Sequence, residues 1–184
     1  MRRVLLLLLL MVLLLIAPLG MAWANDEATS TRTERLMAVY VYNFTRYTNW
    51  PLEDASQMPT RLAVLGRNPF GSSLDEVADK SPASSKLLLS YCGDLNCTRD
   101  SDAVFIAGGN MNVSSLRIML DQWSGKSVLT ISDMPGFADM GGMIELKHAK
   151  GRLTFRINVA AAAKANLHIS AQLLQLAEVV GLKP

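Results

Sequence analysis

The sequence predicts a single layered α/β domain, and three observations carry that expectation. Short apolar runs at Arg61–Leu65, Lys86–Tyr91, Ala103–Ala107 and Ser127–Ile131 alternate with segments of helical periodicity. Glycine and asparagine follow two of those runs, at Gly66-Arg67-Asn68 and Gly108-Gly109-Asn110, where a strand must turn into a helix. Two later runs, Met143–Lys147 and Arg152–Ile157, face each other across Lys150-Gly151 and read as a hairpin. Alternation of strand and helix calls for a mostly parallel sheet covered by helices, and the hairpin adds antiparallel character.

Taken in order, Asn25–Ser30 is polar and reads as a loose start, and Thr31-x-x-Glu34 forms a capping box. Leu36, Val39, Tyr40, Asn43, Phe44 and Tyr47 recur at helical spacing and give one face for the core, and Trp50-Pro51 marks the helix end. A helix through Leu74 and Val77 follows the first strand. Ser114 or Ser115 can cap another that carries Leu116, Met119, Leu120 and Trp123. Asn158 caps a short alanine-rich helix. Ser170 caps a last one with Leu173, Leu174, Leu176, Ala177 and Val180, stopped by Gly181. The expected fold is thus α/β, Rossmann-like, with a mixed, mostly parallel sheet flanked by helices and a C-terminal hairpin and two helices.

The first 24 residues read as a secretory leader: basic Arg2 and Arg3, an apolar run from Val4 to Ile16, then small residues at Ala22 and Ala24. The run is too short for a spanning helix, which needs about 20 residues. The expectation is cleavage after Ala24, a single domain over residues 25–184, and a periplasmic location. Two of the 18 basic residues leave with the leader while all 16 acidic residues stay, so the mature chain is close to neutral. That balance offers no basic stripe for nucleic acid. Cys92 and Cys97, separated by turn-forming Gly93, Asp94 and Asn96, read as a disulfide in an exported chain, against free or redox-sensing thiols.

Catalytic patterns are sparse. His148 and His168 lack metal-ligand spacing to each other or to a cysteine, and neither a nucleophile elbow nor a phosphate-binding loop is present. No cofactor and no metal are expected. Arg67, Asn68, Gly108 and Gly109 follow strands, and with Ser132 and Asp133 they form a candidate ligand crevice at the carboxyl ends of the sheet. The same positions suit turns alone. A hydrolase using Ser132 and Asp133 is a further alternative. Met134, Phe137 and Met140 form a candidate partner surface, the competing reading being a loop folded back under the sheet.

Several segments together resemble the YfiR-like family of periplasmic regulators. They are Val39-Tyr40-Val41-Tyr42-Asn43-Phe44 with Trp50-Pro51, Leu62-Ala63-Val64-Leu65-Gly66 with Pro69-Phe70, and Cys97 before Val104-Phe105-Ile106. The last group is Leu129-Thr130-Ile131-Ser132-Asp133, Gly136-Phe137, Gly141-Gly142, Arg156-Ile157-Asn158 and Ser170-x-x-Leu173-Leu174-x-Leu176-Ala177. The resemblance implies a non-enzymatic repressor that binds the periplasmic sensory domain of an inner-membrane diguanylate cyclase. It links envelope signals to cyclic-di-GMP and biofilm formation. It further implies an outer-membrane lipoprotein as a second partner, and a homodimer. One departure stands out: relatives often carry a cysteine where this chain has Ala63, able to pair with the counterpart of Cys97. The alternative function is a periplasmic small-ligand sensor or carrier.

Overall fold

The computed structural model describes residues 19–51, 59–109, 112–149 and 152–182. Helix α1 (Leu19–Arg46) leads to a two-residue strand β1 (Thr48–Asn49) and then β2 (Thr60–Leu65), α2 (Ser73–Asp79) and β3 (Leu87–Cys92). Next come β4 (Ala103–Ile106), α3 (Val113–Trp123), β5 (Leu129–Ser132) and the hairpin β6 (Ile144–Ala149) and β7 (Arg152–Asn158). The chain closes with α4 (Val159–Lys164), β8 (His168–Ile169), α5 (Ala171–Leu174) and β9 (Glu178–Val180). Seven strands form one sheet in the order β3-β2-β4-β5-β6-β7-β9. All neighbours are parallel except the antiparallel β6–β7 pair, so the expected mostly parallel mixed sheet is the fold. β1 and β8 pair separately, antiparallel.

Residues 62–65 of β2, all of β4 and all of β5 are buried on both faces; the first two read as continuous apolar runs, while β5 alternates Leu129 and Ile131 with buried Thr130 and Ser132. Their alternate residues build two cores. Leu62, Val64, Phe105, Leu129 and Ile131 face the larger core, with Phe44 of α1, Phe70, and Phe155 of β7. Ala63, Leu65, Val104 and Ile106 face the smaller one, closed by Leu116 and Trp123 of α3 and by Met134 and Phe137. Edge-on aromatic contacts hold the larger core together: Phe44 to Phe155 at 5.0 Å and Phe70 to Phe105 at 4.7 Å between centroids.

Four expectations require correction. Among the described residues α1 already begins at Leu19, so Asn25–Ser30 is helical and Thr31 is no N-cap. The buried stripe of α1 is Met37, Ala38, Val41 and Phe44, while Leu36 and Val39 face outward. The small Ala38 suits the sheet-facing side better than the bulkier neighbours, and this rotates the stripe. The cap of α3 is Asn112, whose side chain accepts the Ser115 N–H at 2.8 Å, rather than Ser114 or Ser115. Finally, the expected C-terminal helix stops at Leu174, and Glu178–Val180 instead joins the sheet beside β7. Asn158 and Ser170 do cap their helices as expected.

Candidate functional site

Chain order places a topological switch between β2 and β4: the chain leaves β2 for β3 on one side and returns to β4 on the other. Crevices at such points hold ligands in open α/β sheets. The structure brings Gly66, Gly108, Ser132 and Asp133 to this region, but it fills the space with the chain itself. The Gly108 N–H donates to Asp133 Oδ1 at 2.6 Å, so a carboxylate of the protein sits where an external anion would be held. A side chain on Gly108 would press on Asp133 and the Met134 backbone. The Ser132 hydroxyl is fully buried, donates to the Ile106 carbonyl at 2.6 Å and accepts the Met134 N–H at 3.0 Å. Its proton is thereby committed, which removes the nucleophile from the hydrolase alternative. Asn68 is likewise consumed locally: it accepts the Phe70 N–H and donates to the Gly71 carbonyl, both at 2.9 Å. Arg67 and Gly109 are exposed at the rim. At the place where the sequence reading set a ligand crevice, Asn68, Gly108, Ser132 and Asp133 are thus engaged in turns and strand ends.

The loop from Asp133 to Gly142 follows β5 and leads to β6. Phe137 is fully buried and Met134 nearly so, because the loop folds back against the smaller core. Their side chains are not offered to a partner, and only Met140 is half-exposed. Gly142 lies flat against the Phe137 ring, where no Cβ fits. This explains why glycine follows at that point in the Gly141-Gly142 pair.

A charged junction fastens the loop to the sheet. Glu145 on β6 is buried, and its carboxylate accepts the N–H groups of Gly136 and Ala138, each at 3.1 Å. Arg156 on β7, directly opposite Glu145 in the hairpin register, donates to it at 3.2 Å. The same guanidinium grips Asp139 with two bonds (2.7 and 2.9 Å) and Glu178 of β9 at 3.0 Å. Hydrogen bonding to Asp139 and the surrounding carboxylates raise the Arg156 pKa, and the Asp139 carboxyl is held below its ordinary value mainly by its bonds to Arg156. Asn158 completes the fastening: its amide donates to the Ala138 carbonyl at 2.8 Å while its oxygen caps α4 through the Ala161 N–H at 2.9 Å.

Behind this loop lies a cleft of about 410 Å³ between the C-terminal half of α3, the loop and α4. Leu120, Trp123, Met140 and Met143 supply apolar wall, and Arg117, Asp121 and Lys164 carry charge beside it. Neither the junction nor the cleft was expected from sequence. The signal for the junction was present, since a hairpin turning at Lys150-Gly151 must set Glu145 against Arg156. Cys92 and Cys97 form the expected disulfide, with Cα atoms 5.6 Å apart. Among the described residues no group of three or more His, Cys, Asp or Glu side chains is arranged to hold a metal.

The strand order and the closed switch point define a mostly parallel α/β domain whose distinctive sequence elements serve as fastenings. A profile of the YfiR/HmsC-like family matches residues 34–178, and the chain belongs to that family. No curated protein matches the chain. The matched region runs from the middle of α1 to the first residue of β9 and so takes in six of the seven strands of the sheet completely. None of the described helices is long and apolar enough to cross a membrane.

Proposed function

We propose that this protein is a periplasmic regulator that binds the periplasmic part of an inner-membrane diguanylate cyclase and represses cyclic-di-GMP synthesis. The single observation that carries this reading is the family match over residues 34–178. The reading includes export with cleavage after Ala24, a non-enzymatic role, action as a homodimer and an outer-membrane lipoprotein as second partner. Two structural features support a binding role at the expense of the hydrolase alternative: Ser132 is tied into the backbone, and Asp133 is spent on Gly108. The loop carrying Phe137 supports the scaffold, so the partner surface belongs elsewhere than on Met134 and Phe137.

The test is a crosslinked pull-down from the native envelope, with partners identified by mass spectrometry, alongside cyclic-di-GMP measurement in a strain lacking the protein. Recovery of an inner-membrane cyclase and a rise in cyclic-di-GMP on deletion are expected. An unchanged cyclic-di-GMP level with no cyclase recovered overturns the reading. N-terminal sequencing of the exported chain checks the cut after Ala24.

The second reading, a small-ligand sensor, loses the crevice at the strand ends but gains the cleft beside α3 and α4. Its volume lies within the range of small-molecule sites, about 300–1,000 Å³. A ligand at 100 times its dissociation constant would stabilise the fold by about 2.7 kcal/mol, which a thermal-shift screen detects. Retention of that shift in Lys164→Ala and Arg117→Ala would place the ligand outside the cleft.

A further inference from the structure

The cleft between the C-terminal half of α3, the Asp133–Gly142 loop and α4 has a floor and a rim of different character. Trp123, Thr130 and Met143 line it as buried residues, and Leu120 and Met140 extend the apolar wall half-exposed. Arg117 on α3 and Lys164 on α4 line it too, both exposed, so each helix brings one cation to the opening. An apolar body with a few polar groups to fix orientation is the usual build of a small-molecule site.

This lining carries more hydrogen-bond donors than the chain itself uses. Among the described residues, the side chains of Arg117 and Lys164 make no ion pair and no hydrogen bond. Asp121 lies one turn beyond Arg117 on α3, yet the two side chains do not pair. Trp123 is only 6% exposed, and its indole N–H has no hydrogen-bond partner among the described residues. Buried tryptophans usually find one. No described side-chain nitrogen or oxygen is both sealed from solvent and unpartnered, so the Trp123 N–H keeps access to open space, and Trp123 lines the cleft. Thr130 Oγ1 accepts the Met143 N–H at 3.1 Å but donates its own proton to no described residue.

We infer that this cleft binds an organic monocarboxylate with an apolar body. Its carboxylate takes up donors that the chain leaves free, and its chain or ring lies against the apolar wall. Charged and neutral donors both suit a carboxylate, which offers acceptors only. The charge of the lining selects among anions. Arg117 and Lys164 less Asp121 leave a single positive charge, which a monoanion neutralises and a dianion such as a phosphate ester exceeds. The apolar floor excludes a bare inorganic anion for the opposite reason, since it would stay dry beside a strongly hydrated ion. This deepens the small-ligand reading by naming the ligand class, and it rests on that reading; the cyclase reading stands apart from it.

The experiment is an NMR titration of the isotope-labelled exported chain with octanoate and benzoate, each set against its alcohol, octanol and benzyl alcohol. The readout is the assigned indole N–H signal of Trp123. Trp50 is the internal reference, because its N–H is already spent on the Asp102 carbonyl at 3.3 Å. At least one carboxylate is expected to move the Trp123 signal saturably in the millimolar range or below, and its alcohol to bind at least tenfold more weakly. The double variant Arg117→Ala, Lys164→Ala alters only exposed side chains and is expected to weaken carboxylate binding tenfold or more. Equal binding of acid and alcohol by the wild-type chain overturns the ligand class, whether or not the double variant folds. Unchanged affinity in a folded double variant overturns the role of the two cations. A Trp123 signal that neither carboxylate moves also overturns the inference. A thermal shift from another compound of the wider panel would then keep the small-ligand reading, and silence across the panel removes both.

Discussion

Gly142 and Phe137 illustrate how strictly single residues fix this loop. The Phe137 ring occupies the space a Cβ at 142 would need. Gly142→Ala is expected to destabilise the domain by about 1–3 kcal/mol, the usual cost of overfilling a packed site, measured by urea unfolding. Phe137→Ala is expected to cost about 3–5 kcal/mol, since a buried ring is lost from the smaller core. If Phe137 instead formed a partner surface, its removal would weaken partner binding and leave stability unchanged. Asp139 gives a pH-dependent counterpart. Arg156 holds its folded pKa below the ordinary 3.8, so its stabilising contribution is complete above that value and is lost as pH falls through the lower folded value. Asp139→Asn should therefore be less stable than wild type at neutral pH. The difference should vanish on acidification below the folded pKa, as read from unfolding midpoints across the acid range.

At the scale of elements, the disulfide closes a loop of only five residues' separation beside the end of β3. Replacing both cysteines by serine is expected to lower stability by about 2 kcal/mol without preventing folding, because short loops contribute little chain entropy. Loss of folding in urea-free buffer would contradict that expectation. The strands β2, β4 and β5 and the hairpin were legible because Leu62–Leu65 and β4 are apolar, Leu129 and Ile131 mark β5, and the turns carry glycine or asparagine. β9 was not legible. Leu173, Leu174, Leu176 and Ala177 fit helical spacing, yet the open side of β7 offers backbone partners to Glu178–Val180, and tertiary pairing prevails over local periodicity. Leu176 consequently lies 75% exposed instead of inward. The same override rotated the face of α1, because periodicity alone does not show which of two adjacent stripes the sheet will meet. Glu145 and Arg156 went unread for a different reason: their pairing is a cross-strand relation that helical or strand periodicity within one segment does not display.

Across the whole molecule, the two cores share β2 and β4 but end differently. The larger is capped by α1 and aromatic contacts, the smaller by α3 and the folded loop. The loop, β6, β7 and β9 all meet at Arg156, so disturbing that residue should affect a region rather than a contact. Arg156→Ala leaves the buried Glu145 without its cation, and losing one member of a buried ion pair costs about 3–5 kcal/mol. The expected signature in hydrogen exchange is faster exchange in β6, β7 and β9 together, with β2 and β4 retaining protection. Uniform acceleration throughout the sheet would show that Arg156 supports the whole fold equally.

The position of β9 also bears on the order in which the chain can become complete. Arg156 acquires Glu178 only when residues close to the last described position have joined the sheet. A chain emerging from its N-terminus can assemble β2, β3, β4 and β5 early, but the flank of β7 stays uncovered until residues 178–180 have followed. During that interval β7 is an unclosed edge, open to any strand that reaches it first. Correct assembly is thus a race between β9 and the surroundings, decided by how soon residues 178–180 reach the flank of β7.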